Sequence, residues 1–460
     1  MTQTQTAALP YRLRNDRLTG LFLMGLFCLA LCLPFASAGA AEILPSRSVT
    51  ANGMTVLFLE QHFLPTVEIH ALVKVGSAQD PPDKAGLANL TASLLDEGTV
   101  TRTSRQIAEQ IDFVGGSLGA HATEDFTTAS ARVLKKDADL GFALLADMLQ
   151  HPAFHKQEFE RVRAQILGEI VSDDDDPGNV AMKAFHQLIF HGHPYSWPTH
   201  GTEDTLHRIT VADIQQFHAR EYVPNQTILV IVGDLTQEQA ATLVQNHFGS
   251  WKKGTTPSSM LKKPTPLDRK MVQLIEKDLT QSTIILGHTG ISRSNPDYYA
   301  VTVMNYILGA GGFSSRLMDS IRDKQGLAYG IMSQFDTRLM PGAFLINLQT
   351  RTDVTNQAIT GVLTEIKGIR DAPVTDQELS EAKSFIIGSF PLRVDSSAKL
   401  ANVLAQVEFY NLGLDYFTQY PKAIEKVTKD DVLRVAKQYL DPQHYALVVV
   451  GSIAKAKVKQ

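Results

Sequence analysis

Cysteine is almost missing from this chain of 460 residues: there are two, Cys28 and Cys32, and both fall inside one N-terminal apolar stretch. Tryptophan is as rare, and neither charge sign predominates, with 43 Lys and Arg against 48 Asp and Glu. Each shortage excludes something. Without thiols beyond residue 32, the body of the chain has no cysteine nucleophile, disulfide staple or thiolate metal site. A formal charge of -5 supplies no basic field for a phosphate backbone, so nucleic acid is not an expected partner. No long apolar run follows residue 41, which leaves nothing in the body that reads as a membrane span. What is present is a 44% hydrophobic composition with ordinary glycine and proline counts, enough to bury large cores in more than one domain.

The single apolar run is LTGLFLMGLFCLALCLPFASAGAA, residues 18–41, preceded by Arg12, Arg14 and Arg17 and ending in small residues. That order of charged, apolar and small-residue parts is the pattern of a secretory signal peptide, with cleavage expected after Ala38 or Ala40. An uncleaved anchor is the alternative, and the small-residue exit after Pro34 argues against it. Neither cysteine follows a small residue, as a lipid-attachment cysteine normally does. Residues 1–40 are therefore expected to be a leader. The product is expected to be exported, periplasmic and free of the membrane once cleaved.

Fixed-offset similarity reveals a duplication. TVADIQQFHAREYVPNQTILVIVG, from Thr210 to Gly233, aligns without a gap to TKDDVLRVAKQYLDPQHYALVVVG, from Thr428 to Gly451. Thr210/Thr428, Asp213/Asp431, Pro224/Pro442 and Gly233/Gly451 coincide, so each copy reads as a capped helix, a proline turn and a buried strand closed by glycine. Between the copies lies a linker, WKKGTTPSSMLKKPTPLDRK, residues 251–270, marked by three prolines and six basic residues. The expected divisions are an N-terminal domain over 41–250 and a C-terminal domain over 271–460. In the first, strands are expected near 54–61, 66–76 and 117–134, with helices at 84–96 and 104–114. In the second, strands are expected near 271–277, 281–289, 327–336 and 341–350, with helices at 296–309 and 314–325. Runs of strands followed by runs of helices predict an α+β fold: two homologous halves, each a largely antiparallel sheet covered by helices on one face.

Residues 86–99 read GLANLTASLLDEGT, and residues 307–335 read ILGAGGFSSRLMDSIRDKQGLAYGIMSQF. On these two stretches the chain resembles the pitrilysin and mitochondrial-processing-peptidase family of inverzincin metallopeptidases. Active members carry H-x-x-E-H in a stretch like GLAHFLEHMLFKGT: two histidines one helical turn apart hold zinc and the Glu activates water. Aligned without gaps, the histidine positions are Asn89 and Ser93 and the Glu position is Ala92. The family's third ligand is a Glu about 76 residues beyond the second histidine, and Glu169 stands there in FERVRAQILGEIVSDDDDP. An amide, a methyl and a hydroxyl replace two imidazoles and the base, so the resemblance implies a degenerate motif and no metal held by this chain.

The second stretch keeps what the first has lost. Peptidases of this kind carry an Arg and a Tyr seven residues apart in a stretch like LRE-KRGLAY, matched here by Arg322 and Tyr329 in IRDKQGLAY. Arg322 is expected in the last turn of a helix that Gly326 can close, and Tyr329 at the start of the next strand, so both can converge on one spot. Two donors aimed at one point suit a developing oxyanion. A helix C-terminal cation and a half-buried strand aromatic are the plain structural alternatives. The resemblance spans about Pro45 to the last strand and implies half of a clam shell. This chain is expected to be the non-zinc subunit of a heteromeric periplasmic metalloendopeptidase, with a homologous H-x-x-E-H subunit as partner, zinc in that partner, and peptides or unfolded segments as substrate. The alternative is a catalytically inactive peptide-binding or structural subunit.

Three further signals are read as structural. His186, His191, His193 and His200 cluster in AFHQLIFHGHPYSWPTH, but a similar HPY stretch occurs in relatives that bind zinc elsewhere. Asp173–Asp176 lacks the alternating ligand spacing of a calcium loop and suits a solvated helix terminus. Gly309, Gly311 and Gly312 suit a helix end, since a phosphate cradle needs a preceding strand.

Overall fold

Two sheets carry the molecule, and each is built from short runs dominated by Val, Ile and Leu. The computed structural model describes residues 44–255 and 261–459; the expected leader with both cysteines, and residues 256–260 of the expected linker, lie outside the described residues. The first sheet holds β1 (Ser46–Val49), β2 (Thr55–Glu60), β3 (Thr66–Val73), β4 (Ser117–Ala122), β5 (Thr127–Leu134) and β6 (Thr227–Gly233), in the order β1-β2-β6-β3-β5-β4. The second holds β7 (Met271–Glu276), β8 (Gln281–Thr289), β9 (Ala328–Phe335), β10 (Ala343–Arg351) and β11 (Ala446–Gly451), in the order β7-β11-β8-β10-β9. Apart from β1, the two orders are the same. Only β2–β6 and β7–β11 run parallel; every other pair is antiparallel.

The duplicated residues sit where local chemistry needs them. Thr210 caps helix Val211–Glu221 by accepting the Asp213 amide, while Asp213 accepts the Thr210 amide at 2.9 Å. Thr428 and Asp431 repeat this box at helix Lys429–Tyr439, each reciprocal bond being 3.1 Å. Gly233 and Gly451 end their strands against a neighbouring backbone. A Cβ at Gly233 would fall 2.2 Å from the Thr66 carbonyl oxygen, and one at Gly451 2.9 Å from that of Gln281.

Helices cover one face of each sheet as the sequence predicts. Val67, Ile69, Leu229 and Ile231 pack against Phe142 and Leu145 of helix Ala138–Gln150 and Phe217 of helix Val211–Glu221. On the second sheet Leu286, Phe344, Ile346 and Val449 do the same with Val362 and Ile366 of helix Thr355–Asp371. The opposite faces show an exchange that patterning does not reveal. Leu57, Leu72, Val230 and Val232 of the first sheet share a core with Leu400, Ala401, Leu404 and Ala405 of helix Ser397–Phe409, which belongs to the second half. Ile285, Leu345, Val448 and Val450 of the second sheet pack on Ala181, Ala184, Phe185 and Ile189 of helix Pro177–Ile189, from the first half. Each half thus lends one helix to the other's sheet. Burying a Leu or Phe this way is worth about 1.5–3 kcal/mol per side chain, so the exchange joins the halves with a continuous apolar core.

A polar bolt reinforces the join. Tyr195, buried in the HPY stretch, donates its hydroxyl to Asp125 at the β4–β5 turn and accepts the Met340 amide at 3.2 Å. Asp125 also accepts the Leu339 amide at 2.7 Å, and Arg338 pairs with Glu124 at 3.1 Å with its guanidinium carbon 4.9 Å from the centre of the Tyr195 ring. Residues 338–340 lie in the β9–β10 connection, so these contacts cross from one half to the other. No helix among the described residues is long and apolar enough to cross a membrane.

Candidate functional site

The degenerate motif lies on a shorter helix than the expected 84–96. Helix Leu87–Ala92 starts after Gly86 at φ 98°, where a Cβ would meet the His200 carbonyl oxygen at 2.7 Å. The buried Asp80 carboxylate accepts the Gly86 and Ala88 amides at 2.8 and 2.9 Å and so anchors that end. Burial pushes its pKa up to about 8 against the pull of these amides. The helix stops because Leu94 and Leu95 turn to three-residue bonds with Thr91 and Ala92, and the chain then bends at Gly98.

Asn89 and Ser93 share one face, the Ser93 amide bonding to the Asn89 carbonyl at 2.9 Å, and both are half-buried. Ala92 is fully buried. Glu169 is exposed on helix Lys156–Asp175 and, among the described residues, accepts only Gln165, at 3.2 Å. An amide, a hydroxyl, a methyl and one carboxylate do not make a zinc site, and no group of three or more metal-capable side chains occurs among the described residues.

The histidines part company. His193 accepts the Tyr195 amide at 3.1 Å and donates to the Lys262 carbonyl at 2.8 Å, holding the bolt and the linker together. His186 packs against Phe190, with burial pulling its pKa down to about 4. His200 lies 3.8 Å from Asp173, and His191 is exposed. The acidic run is the corner between two helices: Asp176 caps helix Pro177–Ile189, Asp173 accepts the Asn179 side chain at 2.9 Å, and Asp174 pairs with Lys183 at 3.2 Å.

The Arg/Tyr spacing in the second half has a clear geometry. Helix Tyr298–Asn305 passes into a wide π turn over Tyr306–Ala310, and a second π segment spans Met318–Lys324. Such turns are rare and concentrate at functional sites. Gly309 permits the first to lie on β9, since a Cβ there would be 2.5 Å from the Ser333 hydroxyl. The second closes at Gly326, φ 62°, whose amide bonds to the Arg322 carbonyl at 3.0 Å. The chain then enters β9, where a bulge opposite Leu348–Thr350 turns out Tyr329.

Arg322 and Tyr329 meet, with the guanidinium carbon 5.8 Å from the ring centre, inside cation–π range. Tyr329 is 90% exposed and its hydroxyl has no hydrogen-bond partner among the described residues, which removes the half-buried alternative. Arg322 pairs with Asp323 at 3.2 Å. The sequence reading missed Phe313, which lies 4.8 Å from the Arg322 guanidinium carbon on its other contact and is itself 71% exposed. Its signal was the glycine pair before it: Gly312, φ 58°, makes the turn that presents the ring. Tyr329 itself, with Met318, Gly330, Met332 and Asn347, lines an open hollow of about 480 Å³ over the β9–β10 pair, and β9 is the last strand of its sheet.

Two duplicated sheets and a zinc motif without its ligands place the chain in the zinc-peptidase class, in a form that lacks the zinc-binding side chains. The chain belongs to the peptidase M16 (insulinase) family: residues 55–203 match the family's peptidase domain and residues 208–386 match the domain described as "Peptidase M16 inactive domain". An uncharacterized zinc protease of Mycobacterium leprae is 30% identical over 89% of this chain and 92% of its own length. The non-peptidase homolog YmxG of Helicobacter pylori is 25% identical over 94% of this chain and 99% of its own. Among solved structures, a peptidase M16 inactive domain from Pseudomonas fluorescens superposes with a TM-score of 0.84 at 29% identity, covering 88% of this chain and 98% of that one.

Proposed function

We propose that this chain is the zinc-free subunit of a two-chain periplasmic peptidase that acts on peptides or unfolded segments. A partner chain with an intact H-x-x-E-H motif supplies the zinc-activated water. What this chain brings is a pair of donors for the scissile carbonyl: the Tyr329 hydroxyl and the Arg322 guanidinium, able to strengthen their bonds as negative charge gathers on the oxygen. The free edge of β9, immediately beside Tyr329, offers backbone groups for an extended peptide to pair with.

The observation that carries the reading is that Tyr329, 90% exposed and with no hydrogen-bond partner for its hydroxyl among the described residues, stands within cation–π range of Arg322. Single-turnover peptide cleavage by the mixed complex tests it. Tyr329→Phe should lower the rate by roughly 100- to 1000-fold, as loss of an oxyanion donor typically does, with melting temperature and complex formation unchanged. An unchanged rate in both Tyr329→Phe and Arg322→Ala removes the pair from the chemistry and leaves this chain a peptide-binding role with no part in the hydrolysis, the reading that the non-peptidase name of the Helicobacter relative favours. The chain purified alone should carry no stoichiometric zinc by elemental analysis.

A further inference from the structure

Two hollows on the helical side of the second half meet at Tyr298 and Arg393. One, of about 230 Å³, is walled by Ile291, Tyr306, Phe335 and Phe385, with Asn305 and Thr337 adding polar groups. The other, also about 230 Å³, runs past Arg293, Tyr410 and Tyr416. Each is smaller than the roughly 300–1,000 Å³ of a drug- or cofactor-sized site and suits a single side chain or terminal residue.

Most arginines of the second half are ion-paired; besides the two at this junction, Arg370, which donates to the Lys437 carbonyl at 3.5 Å, is the other exception among the described residues. Arg316, Arg322, Arg338, Arg351 and Arg434 each hold a carboxylate within ion-pair distance. Arg293 and Arg393 hold none among the described residues. Instead the Arg293 guanidinium carbon lies 3.7 Å from the centre of the Tyr298 ring and one nitrogen donates to the Tyr416 hydroxyl at 3.1 Å. Arg393 donates to the Tyr420 hydroxyl at 3.4 Å. Both guanidinium groups therefore keep N–H donors unspent, and aromatic contact restrains them before any ligand arrives. A fork of this kind matches a carboxylate, and the adjoining hollow matches an apolar group a few ångströms away.

We propose that the paired hollows bind the C-terminal residue of a peptide, its carboxylate at Arg293 and Arg393 and its large apolar side chain against Tyr306, Phe335 and Phe385. A terminal apolar residue carries both groups on one carbon, which an acidic side chain does not. Ala310 borders both this hollow and the one that Tyr329 lines, so the terminus would be anchored next to Tyr329. The peptide class rests on the function proposed above. Binding to this chain alone needs neither a partner nor cleavage, so either reading can fail without the other.

The probe is N-terminally labelled Ala-Ala-Ala-Ala-Phe as the free acid, followed by fluorescence anisotropy against the full chain. The free acid should bind saturably, and its C-terminal amide should bind at least about tenfold more weakly. The amide of Ala-Ala-Asp-Ala-Phe, which moves the charge to a side chain, should be as weak as the plain amide. Arg393→Gln, at an exposed position, should weaken the free acid about tenfold at an unchanged melting temperature, and Arg293→Lys should do the same by removing the fork while keeping the charge. Equal binding of acid and amide overturns the proposal, as does equal binding of the internal aspartate peptide and the free acid. Wild-type affinity in both variants, or no saturable binding at millimolar peptide, also overturns it.

Discussion

Glu68 is the least well compensated charge in the first sheet, and its replacement by glutamine has a computable outcome. It sits on β3 between Val67 and Ile69, is only 4% exposed, and its Oε2 is buried without a hydrogen-bond partner. Arg132 stands opposite in register on β5 but makes no ion pair with it, being exposed to solvent instead. Burial is the larger influence and Arg132 the smaller, so the carboxyl is pushed up from 4.5 to about 7. The folded chain therefore holds a proton that the unfolded chain has already lost. Stability on this account is greatest below pH 4.5, declines as pH rises, and has lost about 3 kcal/mol once pH exceeds 7. Glu68→Gln keeps the shape and removes the titration. Urea denaturation of both proteins at pH 5 and pH 8 should show the variant gaining about 2–3 kcal/mol relative to wild type between the two, whatever constant offset the amide introduces. Taking the difference cancels the buried His70, His186 and His218, each pulled down to about 4, whose contribution is lost as pH falls from 6.5. A difference that stays within 1 kcal/mol across that range, or moves the other way, refutes the reasoning.

Two other substitutions probe the join and the repeat. Tyr195→Phe deletes a hydroxyl that serves both Asp125 and the Met340 amide, and should cost about 2–3 kcal/mol in urea denaturation because it strips a buried carboxylate of one donor; a loss below about 0.5 kcal/mol would show that the bolt contributes nothing. Thr210→Ala and Thr428→Ala each remove one half of an equivalent capping box, so each should lower stability by about 1 kcal/mol and the double variant by their sum, read from the same titrations.

What could be read from the sequence follows how local each determinant is. Thr210 with Asp213, Thr428 with Asp431, and the strand-ending Gly233 and Gly451 act within one turn or one close backbone approach, so they show up as identities at a fixed offset. Arg322 and Tyr329 were legible through the family resemblance, which singled out the pair; the short chain between them then made their meeting an expectation. The lent helices were not legible. Phe185 and Ile189, or Leu400 and Leu404, make ordinary amphipathic stripes, and nothing in a stripe states which sheet it will cover. The motif helix was overestimated because the apolar run from Leu87 to Leu95 continues past the point where three-residue bonds and Gly98 turn the chain. Phe313 escaped notice because an exposed aromatic after two glycines has no period at all.

The exchange of helices also sets the order in which the molecule can become finished. When Gly233 leaves the ribosome, every strand of the first sheet exists, yet Leu57, Leu72, Val230 and Val232 still lack the helix that begins at Ser397. At common synthesis rates that helix arrives on the order of 10 to 30 seconds later. During that interval the nascent first half presents an apolar sheet face to its surroundings. A fragment ending near residue 250 would present it permanently, and should bind hydrophobic dyes and aggregate where the full chain does not.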